Sequence, residues 1–215
     1  MSPRPRTVSD TDILTATHQV ISRVGPARFT LADVAKECSL SPATLVQRFG
    51  SKRGLLLALA ELGKDSVGAC FDAARSANQS PLDALMTAAT EMTRHMKSPE
   101  ELANGLAFLQ IDLSDADFHA LALENSRRIE TGYRELLNEA VKAGELQPCD
   151  TRHLARTVGA VSGGSLIAWA IHREGTAEAW VRADLNTLLA PYRTARSAPR
   201  AAARRPSRVA RRPKW

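Results

Sequence analysis

The 215 residues, 44% of them hydrophobic and 5% aromatic, suffice for one large domain or two small ones and exclude a chain that is disordered or fibrous overall. The net charge of +6 is unevenly distributed: nine of the 29 lysines and arginines fall in residues 193–215 and two in residues 1–9, while all 23 acids fall in residues 10–192. The body is therefore acidic, and only the tails and the segment 26–53, with Arg28, Lys36, Arg48, Lys52 and Arg53 against Asp33 and Glu37, attract phosphate.

Long stretches lack the β-branched alternation of strands, so the expected fold class is all-α, with about nine helices. Cys38, Cys70 and Cys149 are scattered and have no histidine at ligand spacing, which fits a reduced compartment and implies neither a metal site nor a cofactor. The reading finds no apolar run near the ~18 residues of a membrane helix, and the expected location is cytoplasmic, in a bacterium, with no membrane contact.

Residues 1–9 form a basic arm containing Arg4 and Arg6. Ile13, Leu14, Val20, Ile21 and Val24 then mark an amphipathic helix closed by Gly25-Pro26. Thr30 with Asp33 forms a capping box for a short second helix whose apolar face is Leu31, Val34 and Ala35. Cys38-Ser39-Leu40 turns the chain, and Ser41-Pro42 supplies a cap oxygen and a pre-set first residue for a third helix ending near Phe49.

Two short helices joined by a tight turn, with Ala35 small at the crossing and Leu40 and Leu45 filling the angle, make a helix-turn-helix. The third helix turns Leu45 and Phe49 inward. Pro42, Ala43, Thr44, Val46, Gln47 and Arg48 are left to face the major groove, where Gln47 suits adenine and Arg48 suits guanine or a phosphate. Lys52 and Arg53 open the next helix, 52–77, where a cation opposes the dipole by ~0.3–1 kcal/mol, and a DNA phosphate is the expected compensation.

Ser80-Pro81 followed by Asp83, and Ser98-Pro99 followed by Glu100-Glu101, predict two further helix starts. Phe118, Leu121, Ala122, Ile129, Tyr133, Leu136, Leu137, Ala140 and Val141 recur at three-and-four spacing up to Gly144, which is one long amphipathic helix. Another is expected from about Thr151 to His172, stopped by Gly175, and a last one from Thr176 to Pro191-Tyr192. From Arg193 the Arg/Ala/Pro-rich tail is expected to be disordered when free, either as a solvated end or as a sequence-indifferent DNA-binding arm.

The segment 10–62 resembles the DNA-binding domain of the TetR (tetracycline-repressor-like) family in Gly25, Phe29-Thr30, Val34-Ala35, Leu40-Ser41, Thr44-Leu45, Phe49, Ser51-Lys52 and Leu55-Leu56, without a gap. Gly164 to Trp169 and the ending Trp180 to Tyr192 resemble that family's ligand domain. Ser39 stands where the family usually has glycine, so a left-handed turn there costs about 1 kcal/mol. Val46 replaces a tyrosine that contacts DNA and offers a thymine methyl an apolar contact instead.

The resemblance implies a DNA-binding domain at 10–55, a ligand-binding and dimerisation domain at 56–192, and a ligand-responsive repressor that binds a palindromic double-stranded operator as a homodimer. Arg28, Thr30, Ser41 and Lys52 join the third-helix residues as expected DNA contacts. A cavity walled by helices between about 80 and 172 is implied, with Met92, His95, Met96, Phe108, Asp112, Tyr133, Trp169 and His172 as candidates to meet a small-molecule effector. The last two helices are the implied dimer face, through Gly159, Gly163, Ala177, Val181, Leu185, Leu188 and Tyr192, although the glycines equally suit packing within the chain.

Two rival readings remain. The run Asp112, Asp115, Asp117 with His119 could ligate a metal or serve acid-base chemistry, but no nucleophile motif or phosphate-cradling loop accompanies it, and no catalysis is expected. An architectural DNA-binding protein would instead rely on the tail and show no operator preference.

Overall fold

Side-chain oxygens fix where the helices begin. The computed structural model describes residues 8–94 and 96–195, the side chains of residues 64 and 65 excepted, and folds them into α1 Asp10–Val24, α2 Leu31–Glu37, α3 Pro42–Phe49, α4 Lys52–Ala77, α5 Pro81–Glu91, α6 Pro99–Ser114, α7 Ala116–Lys142, α8 Thr151–His172 and α9 Ala177–Leu189. The residue before each of these helices, a Ser, Thr or Asp, accepts a backbone N–H of the first turn. Each such cap contributes about 1 kcal/mol by satisfying an amide that the helix cannot.

Two hydrophobic cores result. Ile13, Val20, Phe29, Val34, Leu45 and Leu55 close the first around the three short helices, joined by Phe118 from the start of α7. Phe71, Leu85, Tyr133, Leu137, Val158 and Leu185 belong to the second, built from α4, α5, α7, α8 and α9. Helix α4 serves both, with Leu55 and Leu56 in one core and Val67, Phe71 and Ala74 in the other. Its 26 residues span about 39 Å at 1.5 Å per residue, so the expected boundary at 55/56 falls inside a continuous helix.

Three of the residues expected at a dimer face on the last helix are covered by the chain itself. Ala177, Val181 and Leu185 are buried within the chain, and Leu188 and Tyr192 pack against the same core. An apolar stripe states that a face is covered, not whether its own chain or a second one covers it. Gly159 and Gly163 are exposed on α8, and a Cβ at either would meet nothing within 4 Å.

Helix α8 is the one helix among the described residues long and apolar enough, by length and composition, to cross a bilayer, a property that core helices share. Its apolar residues occupy two faces: Leu154, Ala155, Val158 and Trp169 point into the core, while Ile167 and Ile171 are 44% and 73% exposed.

The chain stays attached two residues beyond the expected start of the tail. Arg193 pairs with Leu146 in an isolated antiparallel bridge, and the Thr194 hydroxyl donates to the Gly144 carbonyl at 2.7 Å. Backbone pairing of this kind leaves no side-chain pattern to read. Residues 196–215, the rest of the predicted tail, and residues 1–7 of the predicted arm lie outside the described residues.

Gly132 lets α7 lie on α4, since a Cβ there would sit 2.5 Å from the Phe71 ring. Gly132→Ala is therefore expected to cost roughly 1–3 kcal/mol through overpacking, whereas Gly68→Ala, where a Cβ meets nothing, should gain up to about 1 kcal/mol. Chemical denaturation of both variants checks the opposite signs.

Candidate nucleic-acid interface

The helix-turn-helix is assembled from short-range bonds. Thr30 and Asp33 form the capping box of α2: the Asp33 amide donates to the Thr30 hydroxyl oxygen, and the Thr30 amide donates to the Asp33 carboxylate at 2.8 Å. After α2, Ser39 adopts φ +56°, and the Leu40 amide reaches back to the Ala35 carbonyl at 2.8 Å. Ser41 then caps α3, its oxygen accepting the Thr44 amide.

Leu45 is fully buried and fixes the rotation of α3. Pro42, Ala43, Val46, Gln47 and Arg48 consequently lie exposed on the outer face, with Thr44 partly covered.

Cations near this face are already engaged. Arg48 turns back across α1, pairing with the Asp10 carboxylate and donating to the Val8 carbonyl at 2.7 Å. Arg28 donates to the Val24 carbonyl at 2.8 Å. Lys52 donates to the Phe29 carbonyl at 2.7 Å and lies 4.2 Å from the centre of that phenyl ring. The compensation expected from a DNA phosphate at the start of α4 is thus supplied within the domain, by carbonyls the sequence could not locate.

Residues 13–59 match the family model of bacterial regulatory proteins, tetR family. The chain carries a TetR-family DNA-binding domain. No curated protein matches it in sequence. Among solved structures, the TetR regulatory protein from Rhodobacter sphaeroides superposes with TM-score 0.71 at 16% identity, over 86% of this chain and 100% of that one. A TetR transcription regulator from Haloarcula marismortui gives 0.71 at 14%, over 86% and 98%. The fatty acid degradation regulator FadR from Bacillus halodurans gives 0.66 at 20%, over 86% and 100%. At these identities the likeness shows the fold, and the whole described chain has the all-α TetR fold.

The TetR-type domain is locked to the rest of the chain at the start of α7. Arg53 donates to both oxygens of Asp115, at 2.9 and 3.0 Å, and to Asp117 at 2.7 Å, with its guanidinium over the Phe118 ring. Asp115 also caps α7, and the Arg53 hydrogen bond holds its carboxyl below the ordinary range. Asp115 and Asp117 of the acidic run are spent on this joint. Among the described residues no group of three or more His, Cys, Asp or Glu could hold a metal.

Beside that joint lies a cavity of about 690 Å³, walled by α1, α4, α6 and α7. Of the sequence-predicted effector contacts it gathers Met96, Phe108 and Asp112. The others are placed elsewhere. Tyr133 is buried against Phe71, edge to face at 5.2 Å, and its hydroxyl donates to the Met92 sulfur at 3.6 Å. Trp169 is buried and donates from its indole to the Gly175 carbonyl, and His172 stacks on Trp180 at the surface. His95 lies outside the described residues.

The sequence reading missed Leu14, Ile21, Leu59, Leu62 and Asn125 as cavity residues. One signal was available: Asn125 interrupts the stripe Phe118, Leu121, Ala122, Ile129 at a position where an apolar residue is expected. The participation of α1 left none, because its inward residues read simply as core of the first domain.

Burial alone raises the Asp112 carboxyl from 3.8 to about 6. A raised acid favours the folded state only while protonated, so this group subtracts stability as pH climbs from about 4 to about 6, and the full cost persists above. Asp112→Asn should accordingly melt higher than the parent at pH 8 and alike near pH 3.5, in paired thermal scans. A separate gain is expected at the turn, where Ser39→Gly should stabilise by up to about 1 kcal/mol, readable by urea denaturation.

Proposed function

We propose that the protein is a ligand-responsive repressor that binds a palindromic operator as a homodimer and releases it when a small molecule occupies the cavity. The observation that carries the DNA reading is the exposed outer face of α3, held in place by the buried Leu45 and the Ser39 turn. Repression follows most simply from a bound dimer standing in the way of polymerase.

Base reading falls to Gln47, with Val46 against a thymine methyl, while Arg48, tied to Asp10, serves the backbone. Arg28 lies exposed beside α1, and Thr30 and Ser41 sit at helix N-termini, where backbone amides favour phosphate. Lys52 adds positive potential.

The second apolar face of α8 supports the dimer. Gly159, Ala160, Gly163 and Gly164 are exposed and small, and Ile167 and Ile171 continue the face. Such a face lets a partner helix approach closely and accounts for α8's apolar character without a bilayer. The dimer contacts proposed are therefore Gly159 and Gly163 with their exposed neighbours.

Release would follow from the shared helix: a ligand between α1, α4, α6 and α7 changes the tilt of α4, and the two copies of α3 lose their fit to grooves about 34–36 Å apart.

Selection from random duplex DNA at near-physiological salt, with full-length protein, is expected to return an inverted repeat. Gln47→Ala should relax one position of each half-site by about 1–3 kcal/mol, whereas Asp10→Asn, which frees Arg48, should strengthen binding to every sequence. Recovery of no motif would overturn the specific-regulator reading in favour of a sequence-indifferent one.

A further inference from the structure

Asp112 and Asn125 both line the joint cavity. Asn125 Oδ1 receives no hydrogen bond but is shielded from the open space by its neighbours. Asp112 is half-buried, and its carboxylate has no ion pair among the described residues. Native interiors rarely leave acceptors in this condition, and an ionised carboxylate against apolar walls carries a large desolvation cost.

The rest of the lining is apolar in the main: Leu14 and Ile21 from α1, Leu59 and Leu62 from α4, Phe108 from α6 and Leu121 from α7. No lysine or arginine appears among the described lining residues, and His18 is the one other titratable group there. An anionic ligand would meet the Asp112 carboxylate with no fixed cation among the described lining residues to offset it. A neutral hydrocarbon would leave the Asp112 carboxylate without a donor. A hydrogen-bond-donating cation on an apolar body meets every one of these conditions.

We propose that this cavity binds an amphiphilic organic amine, its ammonium donating to Asp112 and its hydrocarbon lying against Leu14, Leu59, Leu62 and Phe108. The inference rests on the effector-responsive reading and gives that effector a chemical class. It also makes the DNA-binding domain part of the binding site, because Leu14, His18 and Ile21 belong to α1, the first helix of that domain. The same ligand therefore touches both sides of the joint that Arg53 and Asp115 close.

The burial cost at Asp112 is consistent with a group kept for binding rather than for stability. Gly63, on the α4 wall, offers an independent handle, since a Cβ there meets nothing within 4 Å and a larger side chain can grow into the space.

Titration calorimetry of the full-length protein at pH 8, with decylamine, decanol and decanoate as matched probes, tests the assignment. Decylamine is expected to bind most tightly, and Asp112→Asn should weaken it by roughly tenfold or more while leaving decanol within about twofold. Gly63→Leu should weaken both, and thermal melting verifies that each variant is folded. Decanoate binding as tightly as decylamine, unchanged decylamine affinity in Asp112→Asn, or no decylamine binding up to about 1 mM would each overturn the proposal. Operator affinity measured alongside separates the two readings: intact operator binding without amine binding refutes the ligand class alone, and amine binding that leaves operator affinity unchanged refutes effector control alone.

Discussion

Helix α4 has to satisfy two cores at once, and the architecture follows from that constraint. Leu55 and Leu56 must enter the N-terminal core on one turn, and Val67, Phe71 and Ala74 must enter the C-terminal core three to five turns later. An α-helix transmits rotation and tilt along its length, so neither core can reorient without moving the residues the other depends on. Gly132 strengthens the constraint by seating α7 directly on the Phe71 ring, with no spare space for sliding.

The junction around this helix is tied at a few polar points and otherwise open. Arg53 binds Asp115 and Asp117, and Asn104 donates from α6 to the Ser22 carbonyl near the end of α1 at 2.7 Å. The Arg53 ion pairs are at the surface, where such pairs contribute little net stability, so they serve chiefly to fix a geometry. Between them is the cavity, lined from α1, α4, α6 and α7. A ligand there would touch both α1 and α4, as the proposed population shift requires.

The outer surface of α3 is chemically modest. Leu45 buries its inner face, and most nearby cations are committed to carbonyls or to Asp10, so the exposed positions are small or apolar apart from Gln47 and the tethered Arg48. Positive charge in this domain orients the loops of the motif before any nucleic acid arrives. Affinity is then governed by how many of these internal partners DNA phosphates replace. The body of the chain is acidic and opposes indiscriminate adhesion to DNA.

By itself the sequence determined the helices, their starts and the helix-turn-helix, because these depend on local chemistry: cap oxygens three residues from an amide, proline at a first helical position, and apolar residues at the helical period. Thr30 with Asp33, Ser41-Pro42 and the unfavourable serine at position 39 were all legible in this way. Tertiary structure alone decided who faces whom. The stripe Ala177, Val181, Leu185 went to the chain's own core and α8's second face to the exterior; Tyr133 became packing and Trp169 came to line a separate cavity with Met96; Lys52 found carbonyls; and a cavity opened beside α1 rather than wholly among the later helices. Periodicity specifies that a side is buried, and the identity of the covering surface is set by packing between separate helices, which no local pattern encodes.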